Sequence, residues 1–320
     1  MKKSIISLWP HQISYQPLLQ HFDPRSAKNS SVVLDTSLVQ QITPIGLAFT
    51  IATLRNHLIS SKPSIELRAQ SAVLSELQSL NFTNILSQYF NVSITRNLPG
   101  EKFNPVIRHA SNFALRSTEL ISICHNSTDP KYRRKQIDSH LTATREQLIN
   151  KLHIEPKKIG NLLYILQELM KNTADHSVED AILTFELTES AGIKVLNFAY
   201  VEFGNGIKKS IDEYLDRRIS SSEKRTRKGS SDISEIYRLA FQSGFTTKST
   251  AVNLGKGLHR VASYIRSMNM DMQVFDASSI GNIAIIGPNP THSRTRLAFS
   301  STTVKSLPFS YIASWPIQTQ

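Results

Sequence analysis

Hydrophobic positions in the first third of the chain alternate between short apolar runs and longer amphipathic stretches. The run "SVVLDTSLV" (residues 31–39) predicts a strand, and "PIGLAFTIATLRNHLI" predicts a helix that begins near Pro44. "SIELRAQ" (64–70) predicts a second strand, and "AVLSELQSLNFTNILSQYF" (72–90) predicts one continuous second helix. This strand–helix–strand–helix order favours a small α/β layer structure.

The middle of the chain is less regular. "NLPGEKFNP" (97–105) interrupts the pattern with two prolines and a glycine, and the segment 113–127 fits a strand or a helix. A charged, helix-prone stretch then covers 131–152, and we assign 129–154 as a helical connector. We therefore expect an N-terminal α/β domain over 1–128 and a second domain over 155–320.

Strands and helices mix differently in the second domain. A helix with the apolar segment "IGNLLYILQ" comes first, followed by the strands "AILTFELTE" and "IKVLNFAYVE", which are joined at Ala191 and Gly192. Helices are predicted at "SIDEYLDRR", "DISEIYRLAFQS" and "HRVASYIRSM", and strands at "DMQVFDA", "NIAII", "TRLAFS" and "FSYIASW". Runs of strands with helices between them favour an α+β sandwich over a doubly wound parallel sheet.

Composition narrows the class of protein. The chain has 320 residues, of which 40% are hydrophobic and 19% charged, and this balance excludes wholesale disorder. No apolar run is long enough to cross a bilayer, and Pro10 and His11 break the first one too early for a signal peptide. The single cysteine, Cys124, excludes an internal disulfide framework. We therefore expect a cytoplasmic protein with no membrane partner.

A net charge of +12 is typical of a protein with an anionic partner or an anionic ligand, or of one that simply has a basic surface. The densest basic runs are "KYRRK" (131–135) and "EKRTRK" (223–228). Neither is interleaved with several aromatic residues, so neither is typical of a base-stacking platform. Nucleic acid is therefore the less favoured partner, although charge alone leaves it open.

A polar stripe follows the apolar part of the helix that opens the second domain. Glu168, Asn172 and Asp175 recur at helical spacing with His176 beside them, opposite an apolar face. The apolar face comprises Ile159, Leu162, Leu163, Leu166 and Met170. The stripe is either a solvated surface or a polar lining that presents a carboxylate and an amide to a cleft. Spacing alone leaves both interpretations open.

Two glycine-rich loops follow in sequence order. "VEFGNGI" places Gly204 and Gly206 after a strand, and "GFTTKSTAVNLGKGL" places Gly255 and Gly257 directly before a helix. Glycine lets backbone N–H groups approach phosphate closely, and a helix N-terminus attracts negative charge. A single loop of this kind is typical of an ordinary turn, but two behind a polar stripe favour an anion-binding site.

The order "ELMKN", "EFGNGI" and "TTK…GKGL" resembles the GHKL ATP-binding fold of histidine-kinase-like ATPases. Within that group, the pattern E-x-x-x-N-x-x-x-H-S is most similar to the bacterial anti-sigma-factor serine kinases. The resemblance covers about the second half of the chain, from Glu155 to a strand near Trp315. It implies an α+β sandwich with a mixed sheet that binds ATP and Mg²⁺ and acts in bacterial regulation. The activity implied is that of an ATPase or a serine/threonine protein kinase; the alternative is a nucleotide-gated switch with little or no turnover.

The resemblance also implies roles for individual residues. Asn172 would hold Mg²⁺, and Glu168 would orient or deprotonate the attacking hydroxyl or water. The other nucleotide-binding positions that it implies are Asp175 and His176 in the stripe, Glu202, Gly204, Gly206 and Ile207 around adenine, and Thr247, Lys248, Gly255, Lys256, Gly257 and Leu258 in the lid and its hinge.

The chain departs from the family pattern at two of these positions. Glu202 stands where the family has an aspartate that accepts a hydrogen bond from the adenine amino group, and Asp175 stands where many sensor kinases have a basic residue. Charge near Asp175 would then be balanced by Lys248 or by a basic run in the lid, although on sequence alone that run is more typical of a solvated, mobile loop. That run comprises Lys224, Arg225, Arg227 and Lys228.

The first half, over residues 31–90, is similar to STAS-type domains, the partners of anti-sigma kinases. Phosphorylatable members carry a serine beside a glycine before the first long helix, whereas this chain has Thr43, Pro44, Ile45 and Gly46 there. The resemblance therefore implies a regulatory or docking domain without a built-in phosphate acceptor. The partners implied are ATP and a protein partner or substrate, and a homodimer is left open.

Overall fold

The chain is described here from a computed structural model. It describes residues 4–7, 31–36, 39, 42–59, 63–96, 115–122, 129–152, 156–176, 179–190, 193–204, 241, 257–275, 283–286 and 309–317. Within these ranges the chain forms two sheets with helices packed on them, one sheet parallel and the other antiparallel. None of the helices in the described ranges combines the length and the apolarity needed to cross a bilayer.

The first sheet is parallel, with its four strands in sequence order. The strands are β1 (Ser4–Ser7), β2 (Val32–Asp35), β3 (Ser64–Ala69) and β4 (Asn91–Arg96), and the helices between them are α1 (Pro44–Leu58), α2 (Ser71–Ser79) and α3 (Phe82–Tyr89). Parallel neighbours require a crossover connection, and α1 supplies it between β2 and β3. The prediction of an α/β unit in the first half is confirmed at this level.

The start of α1 follows its capping chemistry. The Thr43 hydroxyl accepts a hydrogen bond from the Gly46 N–H at 3.1 Å, and Pro44 occupies the first turn, where its missing N–H leaves no bond unmade. The helix predicted from Pro44 is therefore confirmed, and Thr43 serves as its N-cap.

The single helix predicted over 72–90 was wrong, because α2 ends at Ser79 and α3 begins at Phe82. Asn81 between them has φ 59°, a left-handed conformation that asparagine tolerates better than most residues. The break re-aims the chain so that both Leu80 and Phe82 are buried.

The second sheet contains six strands. They are β5 (Leu115–Ile121), β6 (Ala181–Ser190), β7 (Ile193–Glu202), β8 (Asp271–Phe275), β9 (Ile283–Ile286) and β10 (Ser310–Ile317), in the spatial order β5-β6-β7-β10-β8-β9. The helices of this half are α4 (Pro130–Leu152), α5 (Pro156–His176) and α6 (Gly257–Ser267). The hairpin of β6 and β7, predicted from the turn at 191–192, is confirmed.

The predicted mixed sheet was wrong for the described strands, since all five pairings are antiparallel. Strands β7 and β8 do run in the same direction, as expected for a connection that includes α6. The last strand, β10, lies between them and runs opposite to both, so no parallel pair forms.

The ambiguous segment 113–127 contains strand β5, which pairs with β6 at the edge of the antiparallel sheet. This strand belongs to the sheet of the second half, although it lies within the range 1–128. The predicted strand "TRLAFS" and the predicted helices at "SIDEYLDRR" and "DISEIYRLAFQS" lie outside the described residues, apart from Phe241.

Helices α4, α5 and α6 cover one face of the antiparallel sheet. Helix α4, predicted as a connector, also packs on α5 and β5 through the buried Ile137 and Leu148. The N-terminal helices pack on the opposite face of the sheet at β5, β6 and β7. Four residues of that face join the core of the first half: Ile182, Ala199, Val201 and Phe203.

Two arginines cross between the halves. Arg55 of α1 pairs with Glu179, and Arg116 of β5 pairs with Glu76 of α2 and donates to the Ile42 carbonyl. Their side chains are only 12% and 16% exposed, so losing one partner would leave a largely desolvated charge. The chain therefore packs as parallel sheet, helices, antiparallel sheet and helices, with a continuous core between the first three layers.

Because this core spans both halves, we expect them to unfold together. Ile182→Ala should lower the free energy of unfolding by about 2–5 kcal/mol, since Ile182 is fully buried beneath the N-terminal helices. Ile193→Ala in the same hairpin should change it by less than about 0.5 kcal/mol, since Ile193 is 57% exposed. Urea unfolding followed by tryptophan fluorescence and circular dichroism measures both. Two separate transitions would contradict a shared core.

Candidate functional site

Helix α5 carries the polar stripe along the edge of its buried face. Ile165, Leu166 and Leu169 are completely buried against the sheet, which fixes the rotation of the helix. Glu168 and Asn172, four residues apart, therefore point along one edge of the helix. Asp175, further along, is exposed, and His176 is the last residue of α5.

The Glu168 side chain is 13% exposed and held on two sides. Lys171 donates a hydrogen bond to its Oε1 at 2.7 Å from the next turn of the helix. Gly257, the first residue of α6, packs on the other oxygen: a Cβ placed there would lie 2.4 Å from Glu168 Oε2. Only a glycine leaves room at this position for the carboxylate as it stands. The second glycine loop thus ends directly on the predicted catalytic residue.

Helix α6 is held beside α5 by its apolar face. Val261, Ala262 and Ile265 are buried, and Leu258 is partly buried against the same core. The rings of Tyr164 and Tyr264 also meet, with centroids 4.9 Å apart. These contacts fix the N-terminus of α6, whose first N–H groups have no partner within the helix, at the level of Glu168.

Asn172 lies one turn beyond Glu168 and is half-buried. Its Nδ2 is buried, and among the described residues it has no hydrogen-bond partner. Buried amides are nearly always hydrogen-bonded in folded proteins, so this Nδ2 has a partner outside the described contacts, which a ligand, a water molecule or another part of the chain can supply. Because the oxygen and nitrogen of an amide are assigned by their surroundings, either atom can face that partner.

Thr173 ties this part of α5 to the sheet. Its hydroxyl donates to the Leu169 carbonyl at 3.1 Å and lies 2.8 Å from the Tyr200 hydroxyl of β7. Complete burial raises the pKa of Tyr200 well above its usual value, and the negative charge of Glu202 acts in the same direction. The phenol therefore stays protonated, and the C-terminal half of α5 is fixed against the end of β7.

Glu202 ends β7 and is 4% exposed. Side chains alternate along a strand, so Glu202 shares the face of Tyr200, which packs towards the helices α4–α6. Its own N–H donates to the Phe309 carbonyl at 2.8 Å. Phe203 and the half-buried Gly204 follow; we call Glu202, Phe203 and Gly204 the 202–204 turn. This turn lies at the same end of the sheet as the stripe on α5.

The structure therefore brings Glu168 of the stripe into contact with Gly257 of the second glycine loop, with Asn172 one turn away. Glu202 and Gly204 of the first loop follow Tyr200, whose hydroxyl meets that of Thr173, the neighbour of Asn172. The other predicted positions lie outside the described residues: Gly206, Ile207, Thr247, Lys248, Gly255, Lys256 and the basic run Lys224, Arg225, Arg227 and Lys228.

Two cationic residues beside Glu168 were not predicted. Lys171 follows Glu168 at i+3, a spacing that puts it on the same helix face and was readable in the sequence. Arg260, in the first turn of α6, donates to the Tyr164 hydroxyl at 3.3 Å. That hydrogen bond is the largest cause that raises the pKa of Arg260, and Glu168 contributes in the same direction. Lys171 thus contacts the carboxylate directly, whereas Arg260 acts on it only through its charge, from an exposed position in the first turn of α6.

The donor set at Asn172 fits a magnesium ion only when the nucleotide supplies most of the ligands. The described ranges bring no group of three or more His, Cys, Asp or Glu side chains together. Mg²⁺ in nucleotide sites typically takes one or two protein oxygens, with phosphate oxygens and water completing the octahedron. Asn172 can supply one such oxygen, and phosphate oxygens and water would have to supply the rest.

Comparisons with known proteins leave the family of the chain unassigned. No protein-family model matches it, and a search of curated proteins finds no match. The case for a function therefore rests on the contacts between α5, α6 and the end of β7.

The contact of Gly257 with Glu168 can be tested without a ligand. Gly257→Ala should be less favourable in the wild-type chain than in a Glu168→Ala background, because the new methyl group must displace the Glu168 carboxylate. The difference should be about 0.5–1.5 kcal/mol in the free energy of unfolding, since the carboxylate can rotate away.

The matched control is Gly160→Ala in α5, where a Cβ would meet nothing within 4 Å. Its effect, a stabilisation of about 0.5–1 kcal/mol from helix propensity, should be the same in both backgrounds. Chemical denaturation of the set of variants gives the coupling. Equal effects of Gly257→Ala in both backgrounds would rule out the contact.

Proposed function

We propose that the second half of the chain is a GHKL-like α+β domain that binds ATP with Mg²⁺ and transfers or releases the γ-phosphate. The observation that carries this proposal is the packing of Gly257, at the start of α6, on the Glu168 carboxylate, one turn from the buried amide of Asn172. A carboxylate, an amide and a helix N-terminus are the groups that phosphoryl transfer needs in one place.

The N-terminus of α6 is the proposed phosphate subsite. Its first-turn N–H groups have no partners within the helix, and the helix dipole favours negative charge there. Gly257 allows a close approach because it has no Cβ. Lys171, which is bonded to Glu168, and Arg260, in the first turn of α6, add positive charge to this region, which supports an anionic ligand.

Asn172 is the proposed protein ligand for Mg²⁺, through its amide oxygen. The ion, when bound, supplies neutralisation of the charge on the phosphate oxygens. The hydrogen bond between Thr173 and Tyr200 fixes this turn of α5 on the sheet, so the Asn172 amide keeps its position relative to the proposed nucleotide. The buried Nδ2, which has no hydrogen-bond partner within the described ranges, supports a position that a ligand completes.

Glu168 is the proposed catalytic residue. Lys171 holds Oε1, so Oε2 is the oxygen that faces the start of α6 and the proposed phosphates. That oxygen can orient, or accept the proton of, an attacking water or serine/threonine hydroxyl. Positioning of the reacting groups and stabilisation of the developing charge would then account for most of the rate enhancement, as is usual in phosphoryl transfer.

Glu202 is the proposed adenine-reading residue, in place of the family's aspartate. Glu202 as a whole is 4% exposed and lies on the face of the sheet that carries the helices, where its carboxylate would accept a hydrogen bond from the adenine amino group. The longer side chain shifts the acceptor by one methylene, so adenine would sit slightly further from β7. Gly204 in the following turn leaves space beside the base.

The first half is proposed as a STAS-like regulatory or docking domain of a cytoplasmic protein in bacterial regulation. A second function, a nucleotide-gated switch with little turnover, is favoured by one observation: Phe203, in the middle of the 202–204 turn, is part of the core formed by the N-terminal helices. Nucleotide binding at the turn would then reach the first half of the chain without any chemical step.

Incubation with γ-labelled ATP and Mg²⁺ tests both functions. The wild-type chain should release labelled phosphate or transfer it to protein, and Glu168→Gln should lower that rate about 10²–10⁴-fold while ATP binding is kept. Asn172→Ala should weaken binding and make it independent of Mg²⁺. Glu189→Gln, an exposed carboxylate at the opposite end of β6, is the matched control and should leave the rate unchanged.

The outcomes are distinct. Bound nucleotide without released or transferred label would support the switch and exclude the enzyme. Turnover that survives Glu168→Gln would exclude Glu168 as the catalytic residue. A wild-type chain that takes up no ATP in the presence of Mg²⁺ would contradict the proposed function altogether.

A further inference from the structure

The back of the 202–204 turn is in contact with the N-terminal half of the chain. Phe203 is 4% exposed, and its side chain lies on the face of the sheet opposite to that of Glu202. The ring of Tyr89, the last residue of α3, meets the Phe203 ring edge-to-face with centroids 5.6 Å apart at 85°. Aromatic pairs prefer this geometry, so the contact fixes the ring of Phe203 in orientation as well as in depth.

Arg55 of α1 completes the cage around Phe203. Its guanidinium carbon lies 5.1 Å from the centroid of the Phe203 ring and 5.8 Å from that of Tyr89. The guanidinium also pairs with Glu179, which holds its plane in place between the rings and the loop after α5. Arg55 and Tyr89, both from the first half, thus pack on the Phe203 ring of the turn.

Asp180 links the same two side chains to the backbone of the turn. The Tyr89 hydroxyl donates to Asp180 Oδ2 at 2.6 Å, and the Phe203 N–H donates to the Asp180 carbonyl at 3.0 Å. Burial raises the pKa of Tyr89, and the hydrogen bond to Asp180 raises it further, so the phenol remains a donor at neutral pH. Tyr89 therefore fixes both the ring and, through Asp180, the main chain of Phe203.

We infer that Tyr89 and Arg55 are positioning residues for the 202–204 turn, and that the N-terminal half thereby sets how well this turn recognises the nucleotide base. Successive side chains of a strand end point to opposite faces, so a shift of Phe203 on one face displaces Glu202 on the other. The inference rests on the proposed function, because it gives the turn a base to recognise.

A second interface cluster of similar chemistry provides a matched comparison. Arg116 of β5 pairs with Glu76 of α2 and lies 3.4 Å from Glu186 of β6. Glu186 is five residues along β6 from Ala181, the partner of Glu202, which is about 17 Å at the usual rise of a strand. Loss of the Glu76 charge weakens the same interface but leaves the 202–204 turn untouched.

The experiment compares Tyr89→Phe with Glu76→Gln in the full chain. The equilibrium Kd values for ATP and GTP, each with Mg²⁺, are measured by competition against a fluorescent ATP analogue, together with the Tm. Tyr89→Phe keeps the ring on Phe203 and removes only the hydrogen bond to Asp180. We expect this variant to weaken ATP binding roughly tenfold and to reduce the ratio of the Kd for GTP to the Kd for ATP. Glu76→Gln should leave both Kd values within about twofold of the wild-type values, even if it lowers the Tm.

Arg55→Lys is the second variant, in case Tyr89→Phe fails to fold. It keeps the charge beside Glu179 but loses the flat guanidinium on the Phe203 ring, so it should reduce the same Kd ratio. A general loss of stability would lower the Tm and the folded fraction without changing the preference of folded molecules for ATP over GTP.

Each failure has its own signature. If the wild-type chain binds no nucleotide, the proposed function is overturned and this inference falls with it. If the wild type binds ATP and the folded Tyr89 or Arg55 variant matches it in both Kd values, the inference alone is overturned. Equal losses in the Tyr89 and Glu76 variants also overturn it, since any damage to the interface would then have the same effect.

Discussion

The proposed site depends on one contact between two helices, the packing of Gly257 on the carboxylate of Glu168. Helix α6 can bring its N-terminus to the carboxylate only because its first residue has no side chain. The buried faces of α5 and α6 then hold both elements on the same sheet. Everything proposed for phosphate, Mg²⁺ and the attacking group follows from that juxtaposition. Without this contact, the polar stripe on α5 would be the ordinary solvent-exposed face of an amphipathic helix.

The second constraint is the shared core between the two halves. Helices α4–α6 cover one side of the antiparallel sheet, and the N-terminal helices pack on the other side at β5, β6 and β7. The end of β7 is consequently held by contacts on both faces of the sheet. Thr173 contacts Tyr200 on one face, and Tyr89 and Arg55 contact Phe203 on the other. A first half packed in this way needs no long conformational pathway to affect the proposed nucleotide site.

Local features of the fold were predictable and long-range ones were not. Thr43 and Pro44 marked the start of α1, and the alternating pattern around Ala191 and Gly192 marked the β6–β7 hairpin, because caps and turns act over a few residues. The position of β10 between β7 and β8 depends on pairings that no local pattern encodes. The same holds for the site: the stripe and the glycines were visible in the sequence, whereas the bond between Tyr89 and Asp180 joins residues 91 positions apart.

The central claim is that ATP and Mg²⁺ bind where α5, α6 and the end of β7 meet. Hydrogen exchange of the wild-type chain, with and without Mg·ATP, tests this most directly. The account predicts that the nucleotide slows amide exchange at the end of α5, in the 202–204 turn and in the first turn of α6, and that removing Mg²⁺ diminishes the effect. Exchange that stays unchanged in these three segments at saturating Mg·ATP, or protection confined to other parts of the chain, would contradict it.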